Sequence, residues 1–432
     1  MARVYYSAYG LSRNTTTSST YQDQATLTFT PNASKVYAIL WGCLLDHNST
    51  TSDARAQLYH DTAAAALQTF NFEMKDSTDN YQIAGAAIYT APGSPVSQTF
   101  SVEFSAEAGT TGCQDAYLIA LELDAADFQS VTAAEQTTTS GTYVDIGPSA
   151  TVGAGDWLLL CSSEIKNSSF DTTNNWEIHD GTSQITVTGG AYLKDSANYT
   201  PWWQIVRVSP GSSTTYKLRH KSNGTGSVRS RNTALIALDL SKFSDVIYGD
   251  SLGESSTTSS SAQTKLTVTD TPVAADYLQL FAATRRPGSG TASARTDYTR
   301  DGAAISVLAE RTETSASDRI DHGYGAISTL TTSSTTWLVR YSISDNVTTT
   351  TIKNAAIAAL ALEDAATHYT MTASQGSFTL TGQAVGLTAQ RKMTADQASF
   401  VLTGYPVDLV YEAGAGGHSG SEWFVRVRRR RN

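Results

Sequence analysis

The feature that most limits what this chain can fold into is a repeat with a period near 120 residues, marked each time by the same ordered series of short apolar runs. The first marker is Val36-Tyr37-Ala38-Ile39-Leu40-Trp41, then Asp156-Trp157-Leu158-Leu159-Leu160-Cys161, then Asp276-Tyr277-Leu278-Gln279-Leu280-Phe281; Tyr37, Trp157 and Tyr277 are 120 positions apart. The second is Phe100-Ser101-Val102-Glu103-Phe104, Tyr216-Lys217-Leu218-Arg219-His220 and Trp337-Leu338-Val339-Arg340-Tyr341. Its period of two is that of a half-buried strand. The third closes each copy: Ile119-Ala120-Leu121-Glu122-Leu123, Ile236-Ala237-Leu238-Asp239-Leu240 and Ala358-Ala359-Leu360-Ala361-Leu362. In the first two of these, aliphatics alternate with Ala or an acid, which sends the aliphatics to one sheet face and the acid to the other.

A chain of 432 residues exceeds what one core organises, and a unit near 120 residues is large enough for its own. Polar stretches at residues 15–20, 255–261 and 331–336 and turn signals at Pro92-Gly93, Pro210-Gly211 and Pro287-Gly288 separate the apolar runs. Roughly a quarter of the residues are Ser or Thr, and Thr, Tyr and Val favour strands. The expected fold is therefore all-β: three tandem β-sandwich (jelly-roll-like) modules with a small C-terminal β repeat and a basic tail. The modules are expected at residues 1–125, 126–243 and 244–366, with the short repeat and tail at 367–432. Residues 54–67 carry enough Ala and Leu for a short helix.

Beyond the third module Met371-Thr372-Ala373-Ser374-Gln375-Gly376-Ser377-Phe378-Thr379-Leu380-Thr381-Gly382 returns, offset by 22, as Met393-Thr394-Ala395-Asp396-Gln397-Ala398-Ser399-Phe400-Val401-Leu402-Thr403-Gly404. Each copy reads as a short strand and its turn, and the pair makes a sheet too small for a core of its own. The T-A-x-x-(G/A)-S-F-x-L-T-G unit resembles repeats near the ends of virion-associated proteins of tailed bacteriophages. The modules resemble, more loosely, the sandwich repeats of phage decoration, head-fibre and tail-fibre proteins. That resemblance implies a virion protein assembled in the host cytoplasm, a homo-oligomer whose partners are other capsid or tail subunits. A tail protein touching host glycans is the alternative it implies, and a polysaccharide depolymerase is a weaker one.

The net charge of −10 and pI near 5.2 speak against a specific nucleic-acid partner, because duplex binding neutralises phosphates with Lys and Arg. Residues 391–432 depart from this, with seven bases against four acids. The chain closes on Trp423, Phe424, Val425, Arg426, Val427, Arg428, Arg429, Arg430 and Arg431, after a glycine-rich joint at 414–420. These nine residues are the candidate partner-binding segment: apolar anchors beside guanidinium groups that bond carboxylates or carbonyls. The first residues lack the apolar core of a signal peptide, and nowhere do 18 apolar residues run together, so no membrane partner is expected.

No catalytic, metal or cofactor site is expected. The seven histidines (His47, His60, His179, His220, His322, His368, His418) show no HxH or HExxH spacing, and no G-x-S-x-G, P-loop or G-x-G-x-x-G occurs. The acid pairs Glu122/Asp124 and Glu363/Asp364 close repeated strands and read as solvated edges. Asp46-His47 lies near Cys43, as a thiol and its base would, but Cys43 continues an apolar run and residues 46–49 read as the polar turn after it. Cys43, Cys113 and Cys161 cannot all pair and are expected as reduced core thiols. Trp202-Trp203 must point to opposite faces of a strand; one side as sandwich core and the other as an intermodule contact is favoured over a sugar-stacking platform.

Overall fold

The computed structural model describes residues 3–73, 77, 80–167, 175–189, 198–222, 226–286, 292–305, 309–312, 320–362, 391–393, 407–413 and 423–429. Residues 1–366 form one compact unit and 367–432 another. The first module comprises β1 (Tyr5–Gly10), β2 (Asn14–Thr16), β3 (Gln22–Phe29), β4 (Val36–His47), β5 (Asp53–His60), β6 (Ala65–Glu73), β7 (Asn80–Thr90), β8 (Gln98–Ala106) and β9 (Thr111–Glu122). The second comprises β10 (Phe128–Thr132), β11 (Gln136–Thr138), β12 (Val144–Val152), β13 (Trp157–Asn167), β14 (Asn175–His179), β15 (Gln184–Gly189), β16 (Thr200–Val208), β17 (Thr214–Lys221) and β18 (Val228–Asp239). The third comprises β19 (Val246–Ser251), β20 (Ser255–Thr257), β21 (Gln263–Asp270), β22 (Ala275–Arg286), β23 (Ser293–Arg300), β24 (Ala303–Ala304), β25 (Ala309–Thr312), β26 (Ile320–Leu330), β27 (Thr335–Ile343) and β28 (Thr350–Ala361).

Each module stacks two antiparallel sheets in one strand order. In the first module they run β1-β9-β4-β7, with β2 also on β9, and β3-β8-β5-β6. The second repeats this as β10-β18-β13-β16 and β12-β17-β14-β15, and the third as β19-β28-β22-β26 and β21-β27-β23 with β24 and β25. The chain changes sheet at every connection except the turn from β1 to β2 and the β5–β6 hairpin with its counterparts. That path is the jelly roll. The three markers fall on matching strands: β4, β13 and β22; β8, β17 and β27; β9, β18 and β28. Tyr37 lies across from Glu122, Trp157 from Asp239 and Tyr277 from Ala361.

Among the described residues there is no α-helix, and residues 54–67 correct the helical expectation. They form β5, one 3-10 turn at Asp61–Ala63, and the start of β6. Ala54, Ala56 and Leu58 alternate into the core opposite β8, pairing Ala56 with Phe104 and Leu58 with Val102. Burial of this alternating face against β8 favours the strand, so packing overrides helix propensity. The polar turn expected at residues 46–49 is also corrected. β4 runs through His47, because Asp46 and His47 still pair with Gly112 and Thr111.

The alternation of β9 and β18 has an outcome that the strand pattern alone did not locate. Leu118 and Ala120 enter the first module's own core, whereas Ile119, Leu121 and Leu123 face a separate core shared by all three modules. Ile236, Leu238 and Leu240 join that shared core, while Leu235 and Ala237 fill the second module. β7 packs on β13 and β18, β16 on β22 and β28, and β26 on β4 and β9. β7, β16 and β26 also touch one another. The modules therefore close a ring with approximate three-fold symmetry, each joint using one face of one module and a different face of the next.

Candidate functional site

Three equivalent positions of the repeat meet at the ring's centre. Ala84 lies across from Gly42, Trp203 from Ser162 and Gly323 from Ala282, and those partners are 120 residues apart, so the three occupy equivalent places. They meet: a Cβ built on Gly323 would lie 2.2 Å from Trp203 Cδ1 and 2.7 Å from the Ala84 Cβ. One fully buried indole fills the centre, anchored by its N–H donating to the Phe281 carbonyl at 3.1 Å, and the other two places give it room. Trp202 points into the second module's core. The favoured reading of this pair holds, and neither ring is an exposed sugar platform.

The joints carry buried polar groups that are matched across modules. Gln68 accepts the Trp41 indole N–H at 2.7 Å and donates to Ser162 Oγ and the Asn232 carbonyl, both at 3.1 Å. The fully buried Glu164 accepts the Thr69 amide at 3.0 Å, Asn232 Nδ2 at 2.5 Å and Arg231 Nε at 2.6 Å. Burial pushes its carboxyl up, and the Arg231 charge pulls against that. At the next joint Gln204 Nε2 donates to Thr284 Oγ1 at 3.0 Å and Asp321 Oδ1 at 2.7 Å. The closing joint stacks Tyr117 edge-on against Tyr324, 5.2 Å between centroids. The bonds made by Gln68 and Glu164 fix register, because a slipped joint would leave these buried groups without partners.

All chain junctions of the ring converge on Arg3. Its backbone N–H donates to the Leu362 carbonyl at 2.7 Å, its Nη2 to Asp127 Oδ1 at 3.0 Å, and its guanidinium lies 4.2 Å from the centre of the Phe243 ring. Asp127 also accepts the Asp124 and Asp239 amides, each at 2.8 Å. The start of module one, both linkers and the exit of module three are thus held at one point.

Several of the residues weighed for chemistry are tied into local bonds. Both His47 ring nitrogens face hydroxyls, Ser52 Oγ at 3.0 Å and Thr111 Oγ1 at 2.9 Å, and Asp46 takes a two-pronged bond from Arg13 at 2.9 and 2.6 Å. Cys43, Cys113 and Cys161 are free and buried. Burial pushes the Cys113 thiol up, as does its hydrogen bond with Cys43. Glu122 accepts Asn32 Nδ2 at 2.7 Å and the Tyr37 hydroxyl at 3.1 Å, and Asp124 accepts the Ala126 amide at 2.9 Å. Glu363 and Asp364 lie outside the described residues. Among the described residues, no group of three or more His, Cys, Asp or Glu side chains could hold a metal ion.

His220 supplies a pH dependence. It is buried, its Nδ1 lies 3.0 Å from Ser230 Oγ, and that oxygen accepts the Trp176 indole N–H at 2.9 Å. Burial lowers its pKa from 6.5 to about 4, so the neutral ring is favoured in the fold. The stability this contributes is complete above pH 6.5 and is lost as pH falls from 6.5 toward 4, reaching about 3 kcal/mol at a rate of about 1.4 kcal/mol per pH unit. Urea unfolding of His220→Gln should show a correspondingly shallower loss than the parent over that window. Parallel pH profiles would show that His220 is not the group responsible.

No protein-family model matches the chain, and no curated protein matches it. Among solved structures, it is similar to a chain from work on the triple jelly roll fold and turret assembly in an archaeal virus, at 10% identity, covering 83% of this chain and 91% of that one, with a TM-score of 0.20. A chain of Sulfolobus turreted icosahedral virus covers 78% of this one and 82% of itself, at 10% identity and a TM-score of 0.21. The insecticidal delta-endotoxin Cry8Ea1 of Bacillus thuringiensis covers 54% and 60%, at 10% identity and a TM-score of 0.19. Likeness at this level carries no argument about function; the jelly-roll assignment rests on the strand order.

In the second unit β29 (Arg391–Met393), β30 (Val407–Ala413) and β31 (Trp423–Arg429) form a sheet in the order β29-β31-β30. Most of the candidate partner-binding segment is thus the central strand, with Trp423 opposite both Met393 and Ala413 and Arg428 opposite Asp408. A segment simply trailing after a joint does not describe it, since Trp423 to Val425 pair on both edges and Arg426 to Arg429 on one. Arg430 and Arg431, the joint at 414–420 and nearly all of the 22-residue repeat lie outside the described residues, as does Pro287-Gly288.

Two repeated features escaped the sequence reading. Asp115, Asn232 and Asn354 hold φ of 50°, 44° and 50° at a register break in β9, β18 and β28, where Asp and Asn tolerate the left-handed region best. Their recurrence as Asp or Asn was the available signal. The polar stretches beginning near residues 15, 137 and 256 also form one motif: Thr16-Thr17-Ser18-Ser19-Thr20, Thr138-Thr139-Ser140-Gly141-Thr142 and Thr257-Thr258-Ser259-Ser260-Ser261.

Proposed function

We propose that this chain is a non-enzymatic structural component of a tailed-phage virion, a capsid decoration or head-fibre protein assembled in the host cytoplasm and attached through residues 367–432, with Trp423 to Arg431 at the contact. The observation that carries this reading is the closed ring of jelly rolls, whose buried side chains at the joints and centre serve to hold the modules to one another. The likeness of the 22-residue repeat to phage virion proteins supplies the particle.

Deleting residues 367–432 should leave the ring folded, because its cores, joints and Arg3 junction all lie before residue 363. Incorporation into particles should fall at least tenfold, measured by mass spectrometry of purified virions against the full chain. The wild-type contact should weaken at high salt only in part, since exposed ion pairs contribute little and apolar anchors resist screening. A deleted chain incorporated at full occupancy would show that residues 367–432 are dispensable for attachment.

A further inference from the structure

The three T-T-S-x-(T/S) loops are braced identically. The amides of Ser18, Ser140 and Ser259 donate to the hydroxyls of Thr16, Thr138 and Thr257 at 3.1, 3.0 and 3.0 Å. Those of Thr20, Thr142 and Ser261 donate to the Ser18, Ser140 and Ser259 hydroxyls at 3.0, 3.0 and 3.1 Å. The carbonyls of the same three serines accept the amides of Ala106, Ser222 and Ile343 at 2.9, 2.8 and 2.9 Å. Inward Thr and Ser side chains thus have a structural reason to recur. Thr17, Thr139 and Thr258 are exposed and take no part in this bracing, yet the same residue stands in all three loops. Exposed loop positions ordinarily diverge between copies that have diverged elsewhere.

The loops also share one end of the ring. Thr16, Thr138 and Thr257 lie across from Thr111, Val228 and Thr350, the first residues of β9, β18 and β28, whereas the Arg3 junction gathers the far ends of those strands. Three braced, hydroxyl-bearing loops therefore stand around one axis on the face opposite the linkers. From this we infer that the chain docks as a single copy, coaxially, on a protein surface of three-fold symmetry, each loop meeting an equivalent site through its outward Thr. The inference rests on the virion role proposed above and adds a contact made by the ring to the one made by residues 367–432. Its own ground is that the faces a homotrimer of modules would use are consumed inside the ring, around Trp203, so one copy presents all three contacts at once. Parallel weak contacts then combine as avidity, each loop raising the effective concentration for the next.

The test uses intact particles produced without the chain, to which purified full-length protein is added. Image reconstruction should place one ring on each occupied three-fold axis. Thr17→Lys, Thr139→Lys and Thr258→Lys, introduced singly, should each reduce affinity several-fold, and all three together more than a hundredfold, with melting unchanged from the parent. Rings at other positions, three chains around one axis, or a triple variant that binds like the parent would each overturn the inference while leaving a virion role standing. A chain that never appears in particles would overturn that role and the inference together.

Discussion

Trp203→Ala should cost the ring about 3–5 kcal/mol, the range for deleting a fully buried large aromatic with little collapse around it. Collapse is limited here because Gly323, against which the indole lies, has no side chain and Ala84 beside it has only a methyl. Gly323→Ala should cost about 1–3 kcal/mol in the parent, where the new methyl would need to displace the indole 2.2 Å away. Combined, the two should cost less than their sum by at least about 1 kcal/mol, since the methyl then loses its clash with the indole and keeps only the close contact with the Ala84 Cβ. Urea unfolding of the four proteins closes the cycle. Additive effects, or a Trp203→Ala cost under about 1 kcal/mol, would show that the indole does not fill the axis.

Arg3→Ala should be comparably severe, about 3–5 kcal/mol, because it leaves the Asp127 carboxylate buried without its cation. The side chains of the pair are 5% and 0% exposed, so water screens them little. Asp127 would retain only the Asp124 and Asp239 amides, and the Phe243 ring would lose the guanidinium stacked on it. Arg3→Lys should recover part of the loss, as an ammonium restores charge without the two-pronged geometry. Because Arg3 joins the first module to the exit of the third, unfolding of Arg3→Ala should also become less cooperative, seen as separated transitions for tryptophan fluorescence and circular dichroism. A single transition with parental stability would show that the joints hold the ring without this junction.

The all-β class, the threefold repetition and the strands carrying the markers could be read from the chain alone. Strand periodicity is local, and a 120-residue self-similarity such as Tyr37, Trp157 and Tyr277 needs no knowledge of contacts. The Trp202-Trp203 pair was legible for the same reason, since adjacent strand residues must face opposite ways. Residues 54–67 were misread because the same Ala-rich composition suits a helix or the small side of a sandwich core, and only the β8 side chains opposite decide between them. The second unit shows a similar divide: the Trp423–Arg429 run was visible as a segment, but its place between β29 and β30 depends on pairing across intervening chain. What tertiary structure alone decided is the ring. Ile119 and Leu121 look like sandwich core until a second module covers their face. Ala84, Trp203 and Gly323 share a place in the repeat, but an indole stands there once and a small residue twice, so similarity does not link all three. Their identities follow from a volume shared at the axis, which exists only once three distant strands have been brought together.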